Sequence, residues 1–388
     1  MSSNSAWPFH ILVAVGSRHD RVCSIGAFAR AEANAYQGLF SSLSVLEPDE
    51  SDHYPVTRGV SPPDAIFFHA PALHDRIRPW NAILSALKLR LKFPRAKFIS
   101  IVHEYSEAPT HWRLRQGAIL KISHGAIANT KTDYEGALSW TPNVLRSRLG
   151  PTLFYKDLVE CEDAVLCTKK LIEKRLGVRA QMSQELNLPA QSKWLLQPGL
   201  LTPGKGVDRL HAMIPYMPQE SVLIVMGGFG PKLRDREFAE RVLGQLKSHL
   251  GSRIAFIDSP SDEIYKSMVL SADLVALPYE AGVSERRSSF LSAASCGANI
   301  WTTTGQYSEA FQIARSGAHQ VLAKSWIAGE PKALSSMSQA LSENDEASLQ
   351  RRLKNLSWAR MHSWKTRAKD IALFLEMLRQ RAGAFERI

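Results

Sequence analysis

Residues 272–304 read ADLVALPYEAGVSERRSSFLSAASCGANIWTTT. The apolar run ADLVALPY comes first, a charged loop follows it, and a helical pattern of small and apolar residues leads into a second apolar run, NIWTTT. Continuous apolar strands that alternate with helices are typical of a parallel sheet covered on both faces. The stretch therefore predicts a strand–helix–strand unit of a doubly wound α/β domain.

Similar apolar runs recur in two series, separated by segments long enough to hold helices. The first series comprises HILVAV (10–15), SLSVL (42–46), DAIFFHA (64–70), KFISIVH (97–103) and GAIANT (125–130). The second comprises KWLLQPGLL from residue 193 and the runs at 221–230, 253–260, 272–279, 299–304 and 319–324. We expect two tandem doubly wound domains, residues 1–190 and 191–365, with DAVLCT (163–168) adding a strand to the first. Residues 135–158 follow no assignable pattern.

The composition is that of a globular protein with apolar material for two cores, since 45% of the 388 residues are hydrophobic and 22% are charged. No stretch approaches the ~18–20 apolar residues of a membrane-spanning helix, and the N-terminus has no basic region followed by a small-residue cleavage site. A cytoplasmic location is therefore expected.

The sequence has four cysteines and no CxxC pair, which predicts neither a zinc site nor a disulfide framework. They are Cys23, Cys161, Cys167 and Cys296.

The formal net charge of +11 favours an anionic partner, which leaves nucleic acid, an anionic membrane face and a phosphorylated small molecule open. The sequence has no RRM, KH or helix-turn-helix signature and no aromatic platform among its basic residues. We therefore expect no nucleic-acid partner. Charge alone does not choose between the other two.

The loop PGLLTPGKGVDRL (198–210) places three glycines and Lys205 between an apolar strand and a helical pattern. Glycines let backbone amides approach a phosphate, and a lysine supplies a point charge. Val207 stands where a P-loop has its hydroxyl residue, so the spacing is not that motif. Two interpretations stay open here, a phosphate site and a plain turn with a solvated lysine.

Arg286 and Arg287 directly precede the helical pattern of the opening stretch, where Ser288 and Ser289 are candidate N-caps. A helix N-terminus carries a partial positive charge of about half a unit, so arginines there oppose the usual preference for acids. An anion bound by the amides, the hydroxyls and a guanidinium would resolve this conflict. The other interpretation is that the arginines are solvated and the serines only cap the helix.

Several motifs together resemble the retaining, GT-B-fold glycosyltransferases of family 4. They are the G-x5-KG from Gly199 to Gly206, the glycine-bearing MGGFG (226–230) and the opening stretch. ISIVHEYSEAP (99–109) resembles a branch of that family, and HSWKTRAKDIALFLEML (362–378) resembles its closing helix. The resemblance implies a GT-B fold in which two Rossmann-like domains face a cleft, and a C-terminal helix (366–388) that returns to the N-terminal, acceptor-side domain.

The resemblance also implies roles for single residues. Lys205 would contact the donor diphosphate, the start of the helix near Ser288 and Ser289 would hold it, and His103 would lie near the sugar. Gly26 and Glu104 would belong to the acceptor side. The family's usual glutamate pair falls on Ser284 and Ser292, so the polar contacts would pass to Glu285, Arg286 and Arg287, with Glu285 counted as catalytic beside His103.

The chemistry implied is sugar transfer from a nucleotide diphosphate sugar with retention of configuration, of the hexosyltransferase type. The helix N-terminus, Lys205 and an arginine can stabilise a leaving diphosphate without a metal. No DxD-like acidic pair ends a predicted strand, so we expect metal independence and no cofactor beside the nucleotide sugar. His103 could donate a hydrogen bond, take part in proton movement, or simply end its strand.

The acceptor is hinted at by RIRPWNAILSALKLRLKFPRAK (76–97), whose only charges are basic. In a helix Trp80, Ile83, Leu84, Leu87 and Leu91 share one face, with Lys88 and Arg90 beside it. Such a face can rest on an anionic membrane surface, or it can pack on the first sheet. The first interpretation favours a lipid-linked saccharide at the inner face of the membrane, as in bacterial-type polysaccharide or glycolipid synthesis. The second leaves a soluble saccharide acceptor open.

A function of another class also follows from the missing glutamates. A GT-B protein that has lost catalysis would bind a ligand or a partner without turning it over.

Overall fold

The computed structural model describes residues 6–15, 24–48, 61–69, 79–103, 105, 108–147, 149–230 and 233–385. Its strands, in chain order, are β1 (Trp7–Ala14), β2 (Phe40–Leu46), β3 (Ala65–His69), β4 (Lys97–Val102), β5 (Gly125–Ala128), β6 (Val144–Arg146), β7 (Lys193–Pro198), β8 (Ser221–Met226), β9 (Ile254–Ile257), β10 (Leu274–Leu277), β11 (Ile300–Thr304) and β12 (His319–Leu322).

The α-helices of the described residues are α1 (Ser24–Tyr36), α2 (Pro79–Lys92), α3 (Thr110–Ile122), α4 (Lys131–Leu138), α5 (Lys156–Val159), α6 (Ala164–Glu185), α7 (Leu233–Leu250), α8 (Asp262–Ser271), α9 (Ser288–Ser295), α10 (Ala323–Ile327), α11 (Pro331–Leu341), α12 (Asp345–Arg360) and α13 (Trp364–Phe385). Short 3₁₀ helices follow β7, α7 and β11, over Val207–Tyr216, Gly251–Arg253 and Ile313–Arg315.

The chain divides into two compact units. The first contains Met1–Thr152 and Ser363–Ile388, and the second contains Leu153–His362. The boundary therefore lies before the residue 190 expected from the sequence, because α6 packs on the second unit: Arg175 and Arg179 both pair with Asp273, at 2.9 and 3.0 Å. The described part of α13 belongs to the first unit.

The first unit contains a parallel sheet in the order β2-β1-β3-β4-β5-β6. Its central strands β3 and β5 are buried along their whole length and β4 from Phe98 onward, which is why they are continuous apolar runs in the sequence. The five strands expected from the sequence are confirmed. The three-residue β6 at the edge of the sheet lies in the stretch that followed no pattern.

The second unit contains a parallel sheet in the order β12-β11-β10-β7-β8-β9. All six predicted strands are present, and α9 joins β10 to β11 as the opening stretch predicts. The expected strand at 163–168 is wrong. Asp163 caps α6 instead, its carboxylate accepting from the amide of Leu166 at 2.7 Å, and Val165 and Leu166 are exposed on the helix.

Helix α2 packs on the first sheet with a face other than the leucine-rich one. Ala82, Ala86 and Leu89 are buried, whereas Leu84, Leu87 and Leu91 are exposed by 48%, 36% and 78%. The interpretation that packs these three leucines on the sheet is therefore wrong. In α2, the side chains of Pro79 and Trp80 lie outside the described ones. Over the described chain, no helix combines the length and hydropathy that a bilayer crossing requires.

Candidate functional site

The loop after β7 in the second unit is shaped by glycines at close backbone contacts. Gly206 has φ of +70°, and a Cβ built on it would lie 1.8 Å from the carbonyl oxygen of Pro278. Gly199 has φ of +114° and its carbonyl oxygen would lie 2.0 Å from a Cβ on Gly227. Any larger residue at 206 or 227 would push the loop away from the strand ends. The loop therefore holds Lys205 beside the end of β10.

Lys205 and Arg287 lie on the ring of one tyrosine. The Nζ atom of Lys205 is 5.8 Å from the ring centroid of Tyr279, and the Cζ atom of Arg287 is 4.8 Å from it. Within the described part of the chain, neither cation has a carboxylate at ion-pair distance, and Nε of Arg287 is buried without a hydrogen-bond partner. The arrangement concentrates positive charge that the described residues do not neutralise.

Burial, followed by the charge of Arg287, lowers the pKa of Lys205 to about 8. Burial raises the pKa of Tyr279 to about 12, although its hydrogen bond with Ser289 and the charge of Arg287 oppose that rise. Tyr279 is therefore a neutral phenol. A bound anion would favour the charged form of Lys205 and so restore its pKa.

Helix α9 begins beside this pair of cations. Its N-cap is Arg287, and no side chain caps the helix, so the expectation that Ser288 or Ser289 serves as N-cap is wrong. The hydroxyl of Ser289 is instead 2.6 Å from the hydroxyl of Tyr279. The start of α9 thus adds its partial positive charge to the two side chains.

The structure brings together Lys205, Arg287 and Ser289 around Tyr279. Two other predicted residues, Glu285 and Arg286, directly precede Arg287 in the sequence. Glu285 is buried and Arg286 half-buried, in the turn before α9. Ser292, where the family's second glutamate was expected, is buried and accepts a hydrogen bond from the amide of Leu153 at 3.2 Å. Sequence reasoning missed Tyr279, although it ends the apolar run directly before the charged loop.

His103 lies in the first unit, half-buried at the end of β4, among polar residues that the sequence reading did not single out. Its Nε2 is 3.0 Å from Nδ1 of His69, and its Nδ1 is 3.2 Å from Nδ2 of Asn129. Nε2 of His69 is 3.0 Å from Oε2 of Glu32, in a contact less well aligned than a regular hydrogen bond. Both ring nitrogens of His103 therefore already have protein partners.

Arg367 of α13 closes these contacts into what we call the polar circuit: Glu32, His69, His103, Asn129 and Arg367. Its Nε donates to Oε1 of Glu32 at 2.8 Å, and its Nη1 donates to Oδ1 of Asn129 at 3.1 Å. Four members of the circuit are buried, and Phe28 of α1 lies against it, 5.4 Å from His103 between ring centroids. Burial alone would raise the pKa of Glu32, but Arg367 and His69 hold it below its usual range.

The circuit had a signal in the sequence that went unused. His69, His103 and Asn129 follow or end β3, β4 and β5, which are neighbours in the sheet, and the carboxyl ends of neighbouring parallel strands meet at one edge.

Gly26 is buried in the first turn of α1, and Glu104 lies outside the described residues. Within the described ranges no group of three or more His, Cys, Asp or Glu residues is arranged to hold a metal ion. Metal independence stays a prediction.

No protein-family model matches the sequence, and no curated protein matches it either. Solved structures do match. HepE of Anabaena with UDP and glucose has a TM-score of 0.64 and 13% identity over 95% of this chain and 100% of that one. Sucrose-phosphate synthase of Thermosynechococcus elongatus has a TM-score of 0.65 and 15% identity, covering 97% of this chain and 99% of that one.

A third match is the catalytic domain of starch synthase IV from Arabidopsis thaliana, bound to ADP and acarbose. Its TM-score is 0.63 and its identity 12%, covering 96% of this chain and 99% of the other. These structures consist, like this chain, of two units built on parallel sheets with flanking helices. The chain has the GT-B fold. At such low identity the likeness establishes the fold, and the GT-B fold by itself does not say which sugar or acceptor is used.

Proposed function

We propose that the protein is a glycosyltransferase that takes a sugar from a nucleotide diphosphate sugar, and that the donor diphosphate binds at Lys205, Arg287 and the start of α9. The observation that carries this proposal is the pair of cations on Tyr279 without a carboxylate among the described residues. The likeness to HepE, whose structures contain UDP, glucose and UDP-glucose, supports the same assignment.

The site suits a reaction in which negative charge develops on the leaving diphosphate. Lys205, Arg287 and the amides at the start of α9 are held in place before any ligand arrives, so they stabilise that charge with little reorganisation. They would do so without a metal, in keeping with the absence of a DxD-like pair from the ends of the predicted strands. Retention of configuration, membership of family 4, hexosyl specificity and a role for Glu285 rest on the sequence resemblance and belong to the proposal.

The test is a panel of UDP-, GDP- and ADP-sugars, offered with soluble and lipid-linked saccharide acceptors. We expect one nucleotide sugar to raise the melting temperature, because a ligand that binds only the folded state stabilises it. We also expect release of the nucleoside diphosphate when the right acceptor is present. Binding without release on every acceptor would favour the non-catalytic GT-B protein, and no thermal shift with any nucleotide would refute the donor site.

We further propose that α2 rests on an anionic membrane surface and that the acceptor is a lipid-linked saccharide or glycolipid at the cytoplasmic face. The exposed leucines of α2 lie among Lys88, Lys92 and Arg95, which are exposed as well. Leucines at this level of exposure can enter the lipid boundary while the cationic stems reach anionic headgroups. Each basic residue near such a surface contributes about 1 kcal/mol.

Charge reversal tests this surface. The triple variant Lys88→Glu, Arg90→Glu and Lys92→Glu should lose sedimentation with vesicles containing phosphatidylglycerol, while the wild type sediments with them and not with neutral vesicles. A matched triple variant, Lys131→Glu, Lys169→Glu and Lys247→Glu, makes the same change in net charge at exposed positions elsewhere. Equal losses in both triples would mean that net charge, and not α2, drives the association.

A further inference from the structure

The polar circuit determines where the protons lie, because one of its members can only donate. A guanidinium has five N–H donors and no acceptor. Oδ1 of Asn129 therefore faces Arg367, and the amide group Nδ2 faces Nδ1 of His103. The same Nδ2 group lies 3.3 Å from the carbonyl oxygen of Val102, which accepts from it. A flipped Asn129 would lose both the bond from Arg367 and the bond to Val102.

This orientation fixes the state of His103. Since Nδ2 of Asn129 donates to Nδ1 of His103, that nitrogen carries no proton, and a neutral imidazole must then carry its proton on Nε2. Nε2–H of His103 donates to Nδ1 of His69, so His69 in turn carries its proton on Nε2, which points at the carboxylate of Glu32. A doubly protonated His103 would turn Nδ1–H against the amide hydrogens of Asn129.

We propose that Arg367 is a positioning residue that holds His103 as the neutral tautomer protonated on Nε2. Arg367 does this from both sides of the circuit, through Asn129 and through Glu32 and His69. Resting on the proposed function, the consequence is that His103 meets a ligand at the end of β4 as a hydrogen-bond donor, with Nε2–H turning from His69 to that ligand. It does not serve as a general base through Nδ1, which accepts from Asn129.

The state of His103 is measurable without any substrate. Protein labelled with ¹⁵N in the histidine rings distinguishes the two neutral tautomers and the charged form by nitrogen chemical shifts, and His69→Gln and His103→Gln variants assign the signals. At neutral pH we expect a single Nε2–H signal pattern for His103. An assigned pattern for the Nδ1–H tautomer, or for the doubly protonated ring, in the wild type would overturn the proposal, and this result needs no variant of Asn129 or Arg367.

Two substitutions test the part played by Arg367. Asn129→Asp keeps a partner for Arg367 but replaces the donor with a carboxylate, so His103 should gain a proton on Nδ1. Arg367→Lys keeps the charge but loses the planar fork that spans Glu32 and Asn129, so the pure tautomer should become a mixture. Arg379→Lys, on the same helix and outside the circuit, should leave the His103 signals unchanged.

A folded Arg367→Lys variant with unchanged His103 signals would show that Arg367 does not set the tautomer. In the sugar-transfer assay Arg367→Lys should lower kcat/KM about tenfold, the effect of losing one hydrogen bond from His103 to its ligand. If no nucleotide sugar is turned over, the proposed function fails while the tautomer result still stands. The two inferences therefore fail separately.

Discussion

Replacing Arg367 with methionine should lower the free energy of unfolding of the first unit by about 3–5 kcal/mol, because it leaves the buried carboxylate of Glu32 without its main partner. The side chains of Arg367 and Glu32 are 2% and 0% exposed, so water cannot take the place of the lost guanidinium. Asn129 and the carbonyl oxygen of Ser147 lose a donor as well. Amide hydrogen exchange measures the effect. Exchange should become faster in α13, which belongs to the first unit, and stay unchanged in β8, which belongs to the second.

The double variant Glu32→Gln/Arg367→Met should be more stable than Arg367→Met alone, since it removes the uncompensated charge. Acid should also reduce the difference in free energy of unfolding between Arg367→Met and the wild type. The depressed pKa of Glu32 in the wild type gives stability that is present above the unfolded value of about 4.3 and lost as the pH falls below it. In the variant burial raises that pKa, so protonation relieves the penalty. A variant as stable as its surface control, Arg379→Met, would contradict this account.

Replacing Lys205 with alanine should weaken binding of the donor nucleotide sugar by roughly 10- to 100-fold, the value of one charge-assisted contact of about 1.5–3 kcal/mol. Isothermal titration with the nucleotide sugar that gives the largest thermal shift measures the change. Lys247→Ala on the exposed face of α7 is the matched control and should bind like the wild type. Equal affinities in all three proteins would place the diphosphate away from Lys205.

The pH dependence of the same binding gives a second signature of Lys205. In the free protein its pKa is about 8, and an anion binds only the protonated amine well. Affinity should therefore be constant below that pH and decline as the pH rises through it. A Lys205→Arg variant keeps its charge throughout this range, so its affinity should not decline there. A wild type without any decline would show that Lys205 stays charged or does not touch the donor.

The central strands β3, β5, β8 and β10 could be predicted because they are buried on both sides and are therefore continuous apolar runs in the sequence. The exceptions have physical reasons. Strand β6 has three residues, none fully buried, at the edge of its sheet. In α6 the apolar Val165 and Leu166 lie on the exposed side, so DAVLCT looks like a strand although Asp163 starts a helix there.

The sequence left two interpretations of helix α2 open because the helix is apolar on two faces. Small residues, Ala82 and Ala86, allow close packing on the sheet, and the larger leucines point the other way. Periodicity marks both faces and does not choose between them.

The cationic site was largely predictable and the polar circuit was not. Lys205 follows glycines after a strand and Arg287 stands at a helix start, and from each position an anion was one of two interpretations. Glu32, His69, Asn129 and Arg367 come from four distant segments, and each alone is an ordinary polar residue at a helix or strand. The order of the strands places His69 and Asn129 at the same sheet edge as His103. Only side-chain directions show that Glu32 and Arg367 join them, and those directions depend on how α1 and α13 pack.

The order of the two units along the chain has a consequence for synthesis on the ribosome. The second unit is one unbroken segment, Leu153–His362, whereas the first needs Ser363–Ile388 as well. The unit that is begun first is therefore the one that is finished last. Until Arg367 has been made, the nascent chain holds Glu32 without the cation that neutralises it, and the whole second unit can fold during that wait.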